Sequence, residues 1–239
     1  PIFQSSSYPT VLFNAMVKPW TAFPIKGVIW YQGEANVGRS EQYGDLFPAL
    51  ITDWRRQWRS DFPFYFVQLA NFMESKKIQP DSEWAALREA QTKALKLDQV
   101  GMAVTIDIGL ADDIHPKNKQ EVGRRLALVA LAGSYGKNVS SSAPVFQNYI
   151  IKGNKMELDF GQKQDGFQIK GTTLKGFTIA GPDRVFYPAE AMVHDGKIIL
   201  SSTEVPAPLA ARYGWADNPD CNLYGENGLP VAPFRTDCW

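Results

Sequence analysis

Histidine and cysteine are nearly absent, with two of each in 239 residues. His115 and His194 stand far apart, and Cys221 and Cys238 are not closely paired, which excludes the usual His/Cys spacing of a zinc or iron site. A calcium site from Asp107, Asp112 and Asp113 is the one metal arrangement left to weigh, and the reading is that no metal is held. Net charge is also missing: 25 basic and 25 acidic side chains cancel, so no one-signed field points to nucleic acid or an anionic membrane as partner. No apolar run reaches the ~20 residues that span a bilayer. No signal-peptide pattern opens the sequence. It begins at Pro1 without a methionine, and the expectation is that a leader or a longer segment was removed upstream.

Both cysteines fall near the C-terminus. They fit one disulfide tying down the tail of an exported protein, and equally two unrelated thiols. A secreted, periplasmic or otherwise exported location is the expectation. Aromatic residues make up 13% and include seven tryptophans. Such rings can stack on sugars, but most aromatics fill core.

The texture changes near residue 138. Before it, apolar runs alternate with helical periodicity. Gly27–Gln32 (GVIWYQ) has the look of a strand buried on both faces, and Phe62–Leu69 (FPFYFVQL) and Met102–Ile108 (MAVTIDI) read as two more. Over Ser40–Trp58, Tyr43, Phe47, Leu50, Ile51, Trp54 and Trp58 recur at helical spacing, and Pro48 inside it predicts a kink or a split. Asp81 or Ser82 can cap a helix carrying Trp84, Leu87 and Gln91. A last helix is predicted from about Asn118 to Ala132, with Gly133 as its stop. Strand–helix alternation implies right-handed crossovers and a parallel sheet between helices. Three strands make a thin sheet of that kind, so further strands are expected upstream of Pro1.

After Asn138, short β-type runs are separated by Gly, Asp, Asn and Pro, with hairpin signals at Asp165-Gly166 and Asp195-Gly196. The organisation read from this is an α/β unit at 1–137 and a small antiparallel, sandwich-like β unit at 138–239. Pro206–Trp239, rich in Pro, Gly and Asn, is predicted to be ordered loop crossing the surface.

Two loops carry chemistry. Asp112-Asp113-Ile114-His115-Pro116 follows the third strand, at the carboxyl edge where open parallel sheets bind ligands. An imidazole there can act as general base, oriented by a carboxylate. Asp112, three residues earlier, can fold back onto the ring in a tight turn, and Asp113 competes for that role. His194, beside a turn in the β-rich part, is structural or surface. The second loop, Trp30-Tyr31-Gln32-Gly33-Glu34-Ala35-Asn36, offers amide donors suited to a developing oxyanion, with Gly33 permitting close backbone approach. It can also be read as a polar loop in which Glu34 and Asn36 cap backbone groups.

Together GVIWYQGEAN, WAALREAQ and DDIHPKNKQEVGRRLA resemble the sialate O-acetylesterases of the SGNH/GDSL hydrolases. FYPAEA and RYGWADNP look like the region after their catalytic domain. The resemblance implies part of a flavodoxin-like, three-layer α/β/α fold, with His115 as catalytic histidine and Asp112 as triad aspartate. Gln32 falls in the block that supplies a side-chain oxyanion donor, with Gly33, Glu34 and Asn36 shaping the loop. Arg88 and Gln91 are implied as structural support. The family's nucleophile lies in a G-x-S turn after the first strand, and no such segment exists here. Ser5, Ser6 and Ser7 sit in an irregular leading stretch, and Gly133-Ser134 follows a helix. The expected partner is therefore an N-terminal segment or second chain bearing the serine, with this chain inactive alone. The implied substrate is an O-acetylated carbohydrate, sialic acid first and acetylated xylan or pectin next, and no cofactor is required. The alternatives are a non-catalytic carbohydrate-binding or structural piece, and a glycoside hydrolase using Glu34 with Asp112 or Asp113.

Overall fold

A computed structural model describes residues 8–161 and 166–239. The expectations placed on Ser5, Ser6, Ser7 and Asp165 lie outside the described residues.

The first layered unit is the predicted α/β alternation. Strand β1 (Val28–Trp30), helix α1 (Ser40–Trp58), β2 (Phe64–Val67), α2 (Glu83–Thr92), β3 (Val100–Ala103) and α3 (Lys119–Gly133) follow one another. The strands form a parallel sheet in the order β1-β2-β3, with Val28 opposite Phe64 and Phe64 opposite Val100. Alternating side chains send Phe64 and Phe66 to one face, where Tyr43, Phe47 and Ile51 of α1 and Trp84 and Leu87 of α2 close a core. Tyr65 and Val67 face the other way, against Val122, Leu126 and Val129 of α3. Helices thus cover both sides of β2, which explains its wholly buried, non-alternating run.

Three local expectations are corrected. β1 is not buried on both faces: Ile29 is 70% exposed. β1 is an edge strand, and α3 lies over β2 and β3 and leaves the Ile29 side of β1 open. Helix α1 runs unbroken through Pro48. The carbonyl facing the proline ring, four residues back, belongs to Gly44, and the Pro48 carbonyl accepts a bond from Thr52 Oγ1 at 2.9 Å. The third strand ends at Ala103, not Ile108. Beyond it Thr105 Oγ1 donates to the Gln68 carbonyl (2.6 Å) and Asp107 accepts a fork from Arg125 (2.6 and 3.0 Å), which turn the chain away. Asp107, also bonded by the Tyr224 hydroxyl, is a structural anchor and no longer a free calcium ligand.

Of the two residues expected to cap α2, Ser82 does so, and Asn118 caps α3. Ser82 Oγ accepts from Ala85 N at 3.0 Å, and Asn118 Oδ1 accepts from Glu121 N at 3.1 Å, each contributing about 1 kcal/mol. In the first turn of α3, Glu121 is gripped by Arg124 and Arg125, which hold its carboxyl down at about 2 against an ordinary 4.5. A depressed folded-state pKa stabilises above the unfolded value and is lost as pH falls through the folded one. Urea midpoints should therefore drop between pH 4.5 and about 2. Glu121→Gln should remove roughly 2 kcal/mol of that dependence, and an unchanged slope would dismiss this grip as a source of acid sensitivity.

The remaining strands are antiparallel. They are β4 (Asn148–Lys152), β5 (Lys155–Asp159), β6 (Phe167–Ile169), β7 (Phe177–Ala180), β8 (Phe186–Pro188), β9 (Glu190–His194), β10 (Lys197–Ser201), β11 (Ala210–Tyr213), β12 (Leu223–Gly225) and β13 (Phe234–Arg235). One sheet runs β4-β5-β10-β9, a second β13-β11-β7-β8, and β12 pairs with β6. Met156, Leu158, Ile198 and Leu200 of the first sheet share a core with Phe177, Ile179, Ala211 and Tyr213 of the second, the sandwich arrangement. Asp195 and Gly196, with φ of 50° and 72°, make the predicted tight turn between β9 and β10.

The stretch Pro206–Trp239 is not loop laid over the surface. It supplies β11, β12 and β13, and Ala210, Ala211, Tyr213, Leu223, Leu229 and Val231 are buried. Arg212 forks onto Asp237 at 2.7 and 2.8 Å and also donates to the Pro80 carbonyl, while Arg235 forks onto Glu89 of α2 at 2.9 Å on both arms. The cysteines are unlinked. Burial pushes the Cys221 thiol up to about 12, beside Tyr213, and Cys238 is exposed.

Candidate active site

Loops leaving the carboxyl ends of parallel strands share one rim of a sheet, so the segments after β1 and β3 are brought together by topology alone. The structure gathers them around an open cleft of about 410 Å³ lined by Tyr31, Gln32 and Glu34 on one side and Ile114, His115 and Lys119 on the other.

The first loop is firmly set. Gln32 Nε2 donates to Asn36 Oδ1 at 2.7 Å, and the Tyr43 hydroxyl donates to Gln32 Oε1 at 3.1 Å. These two bonds fix which way the amide points and leave its second N–H for another acceptor. Glu34–Asn36 forms a single 3-10 turn started by Gly33, whose φ is 154°. A Cβ at Gly33 would sit 3.2 Å from Gln91 Nε2 and 3.4 Å from Leu69 Cδ2. Gln91 in turn accepts from Leu69 N at 2.9 Å and donates to the carbonyls of Gln32 and Val67. Gly33→Ala should cost about 1–3 kcal/mol in a denaturant titration, from a backbone angle L-residues rarely take plus the push on Gln91. A loss under 0.5 kcal/mol would show that the loop yields.

The second loop is looser. The His115 side chain is 85% exposed. Its own amide donates to Asp113 Oδ1 at 2.9 Å, and the same oxygen lies 3.6 Å from Nδ1. That amide, with Lys117 adding, holds the Asp113 carboxyl below the usual range. Asp113 thus occupies the turn position next to the imidazole, since a side chain two residues back reaches a backbone N–H without strain. Asp112 is exposed, and among the described residues its carboxylate has no bonded partner. Ser134 lies at the far end of α3, bonded to the Tyr65 hydroxyl at 2.8 Å, and does not reach the cleft. His194 is exposed beside Asp195, away from it.

Tyr31 and Lys119, not singled out from sequence, also line the cleft. Lys119 Nζ stands 4.8 Å from the Tyr31 ring centre. Burial, with Glu34 adding, pushes the Tyr31 phenol up to about 12. The signal for both was adjacency: Tyr31 precedes Gln32, and Lys119 opens the helix after His115. Among the described residues no three His, Cys, Asp or Glu side chains gather closely enough to hold a metal.

Arg88 is wholly buried in α2 and forms no salt bridge among the described residues, with the Asp217 charge acting on it from further off. It donates instead to four carbonyls, Leu69 (2.9 Å), Ala70 (3.0 Å), Ala216 (2.7 Å) and Asp217 (2.8 Å). Burial draws its pKa down to about 9, so it is charged at neutral pH. Arg88 bonds backbone carbonyls, and Gln91 bonds the backbone of Gln32, Val67 and Leu69 and lies against the Tyr43 hydroxyl.

A parallel α/β layer whose strand-end loops gather an imidazole, a carboxylate and a fixed amide on one cleft is the architecture of a hydrolytic enzyme of the α/β class. Residues 4–132 match the model of a carbohydrate esterase family, the sialic acid-specific acetylesterases, and the chain belongs to that family. It is 32% identical over 255 residues to the sialate O-acetylesterase of Mus musculus, covering 94% of this chain and 47% of that one. The Homo sapiens sialate O-acetylesterase is 32% identical over the same length, covering 94% and 48%. A solved carbohydrate acetylesterase from Xanthomonas citri superposes with a TM-score of 0.92 at 46% identity, over 97% of this chain and 55% of that chain. The chain spans about half the length of the curated relatives it matches.

Proposed function

We propose that this chain is the histidine-bearing part of a carbohydrate O-acetylesterase that removes acetyl groups from O-acetylated sugars, sialic acids foremost. The observation that carries the reading is the convergence of the Gln32 and His115 loops on one cleft of about 410 Å³. The nucleophile is a serine from outside this sequence, brought to the open β1 side of the sheet, and this chain alone is inactive. The serine oxygen attacks the acetyl carbonyl while His115 takes its proton. The C–O bond to the sugar then breaks, and His115 returns the proton to the leaving hydroxyl. Water repeats the sequence on the acetyl-serine and releases acetate. The free N–H of Gln32 and nearby backbone amides hold the oxyanion. Asp112 orients the imidazole in the reacting complex. The chemistry needs no metal or organic cofactor, and an exported location suits a glycan substrate.

The test is fluorophosphonate labelling read by intact mass, alongside acetate release from O-acetylated sialic acid and from acetylated xylo-oligosaccharide. The expected adduct falls on a polypeptide segment outside these 239 residues, with faster release from the sialic acid. An adduct on Ser134 or on Ser5–Ser7 would overturn the divided site, and release from xylan alone would overturn the sugar.

A further inference from the structure

The tail motif RYGWADNP has no part in the chemistry above, yet it reaches the loop that carries His115. Asn71, just after β2, accepts from the Gly109 amide through Oδ1 at 2.7 Å and donates through Nδ2 to Asn218 Oδ1 at 2.7 Å. Asn218 donates its own Nδ2 to the Met73 carbonyl, also at 2.7 Å. Met73 N then donates to the Ala111 carbonyl at 3.1 Å, and Phe72 bridges Leu110 as a parallel partner. The approach at Gly109 is so close that a Cβ there would stand 1.8 Å from the Asn71 carbonyl oxygen. The segment Gly109–Ala111 is therefore clamped along its length, and Asp112–His115 hangs from its end. The clamp is itself pinned, because Phe72 N donates to the Asp217 carbonyl and the Asp217 carboxylate accepts from Ser82 Oγ at 2.6 Å and from Gln79.

We propose that Asn71 and Asn218 are positioning residues that set the His115 loop against the cleft, an inference that rests on His115 being the catalytic base. Both side chains use donor and acceptor together, so each amide has one working orientation. Asn71→Asp keeps the acceptor for Gly109 but puts an oxygen opposite Asn218 Oδ1. Asn218 can turn to donate to it only by releasing Met73. Asn71→Ala loses both bonds.

Two readouts test this. In NMR titrations, with His194 as internal reference, Asn71→Ala should shift or broaden the His115 imidazole signals and leave those of His194 in place. In the serine-carrying enzyme it should lower kcat by about 10–100-fold with KM changed less than threefold, because a misplaced base costs rate more than binding. Asn71→Asp and Asn218→Ala should fall between wild type and Asn71→Ala, and they serve if the alanine variant does not fold. Unmoved His115 signals, or equal movement of His194, would overturn the proposal as mere loosening, and so would kcat within twofold of wild type. If His115→Ala itself left activity intact, the esterase reading would fail, while the NMR arm would still decide the clamp.

Discussion

His115→Ala in the serine-carrying enzyme is expected to lower kcat/KM for an acetylated sugar by on the order of 10³–10⁶ while leaving the fold untouched. The His115 side chain is 85% exposed, with the Asp113 carboxylate 3.6 Å from Nδ1. Its removal should therefore change stability by no more than about 0.5 kcal/mol, or roughly 2 °C in Tm for a chain of this size. In the proposed mechanism the ring takes the serine proton and later supplies the leaving-group proton, so that its loss would slow both half-reactions. The carboxylate partner is decided in the same experiment. Asp113 accepts from the His115 amide and lies beside Lys117, whereas the Asp112 carboxylate is exposed and has no bonded partner among the described residues. Asp112→Asn should cost about 10²–10⁴ in kcat, with Asp113→Asn chiefly lowering Tm. The reverse order would assign the triad role to Asp113. Activity of His115→Ala within tenfold of wild type would remove the acyl-transfer mechanism altogether.

Arg88→Ala should be the most destabilising single change in the chain, by about 3–5 kcal/mol. Its guanidinium is fully buried and satisfies four backbone carbonyls at once. Two of these have a second donor, Ala70 from the Trp84 indole and Asp217 from the Phe72 amide. The carbonyls of Leu69 and Ala216 are left without one, at about 1–3 kcal/mol each, and the emptied volume adds to that. Arg88→Lys keeps the charge but has no planar fork to span carbonyls on both sides, so an intermediate loss is expected. Guanidinium titrations of the three proteins check the order. An Arg88→Ala midpoint close to wild type would mean that water replaces the guanidinium.

Most of the α/β layer was legible in the sequence because its signals are local. The run around Phe64–Val67 is apolar on both faces, Ser82 caps its helix through a bond three residues on, and Asp195-Gly196 supplies two left-handed residues in succession. The two polar loops stood out for the same reason. β11, β12 and β13 did not, being two to four residues long amid Pro and Gly and buried only through pairing with distant strands. The exposure of Ile29 and the continuity of α1 through Pro48 depend on what lies over each face, which no short window contains. The placement of Asn71 and Asn218 rests on side-chain direction and on contacts up to 147 positions apart, so their identity as asparagine said only that a turn was near.

The reach of Arg88 also sets the order in which the protein can be completed. Its carbonyl partners at Ala216 and Asp217 lie 128 and 129 residues further along the chain. At about 5–20 residues per second, a ribosome needs roughly 6–25 s to deliver them after Arg88 emerges. Through that interval the guanidinium stays hydrated, and the loop after β2 has no tail to close on. Until residues 216–218 arrive, the α/β layer lacks the contacts that fill its Arg88 site and pin the loop after β2.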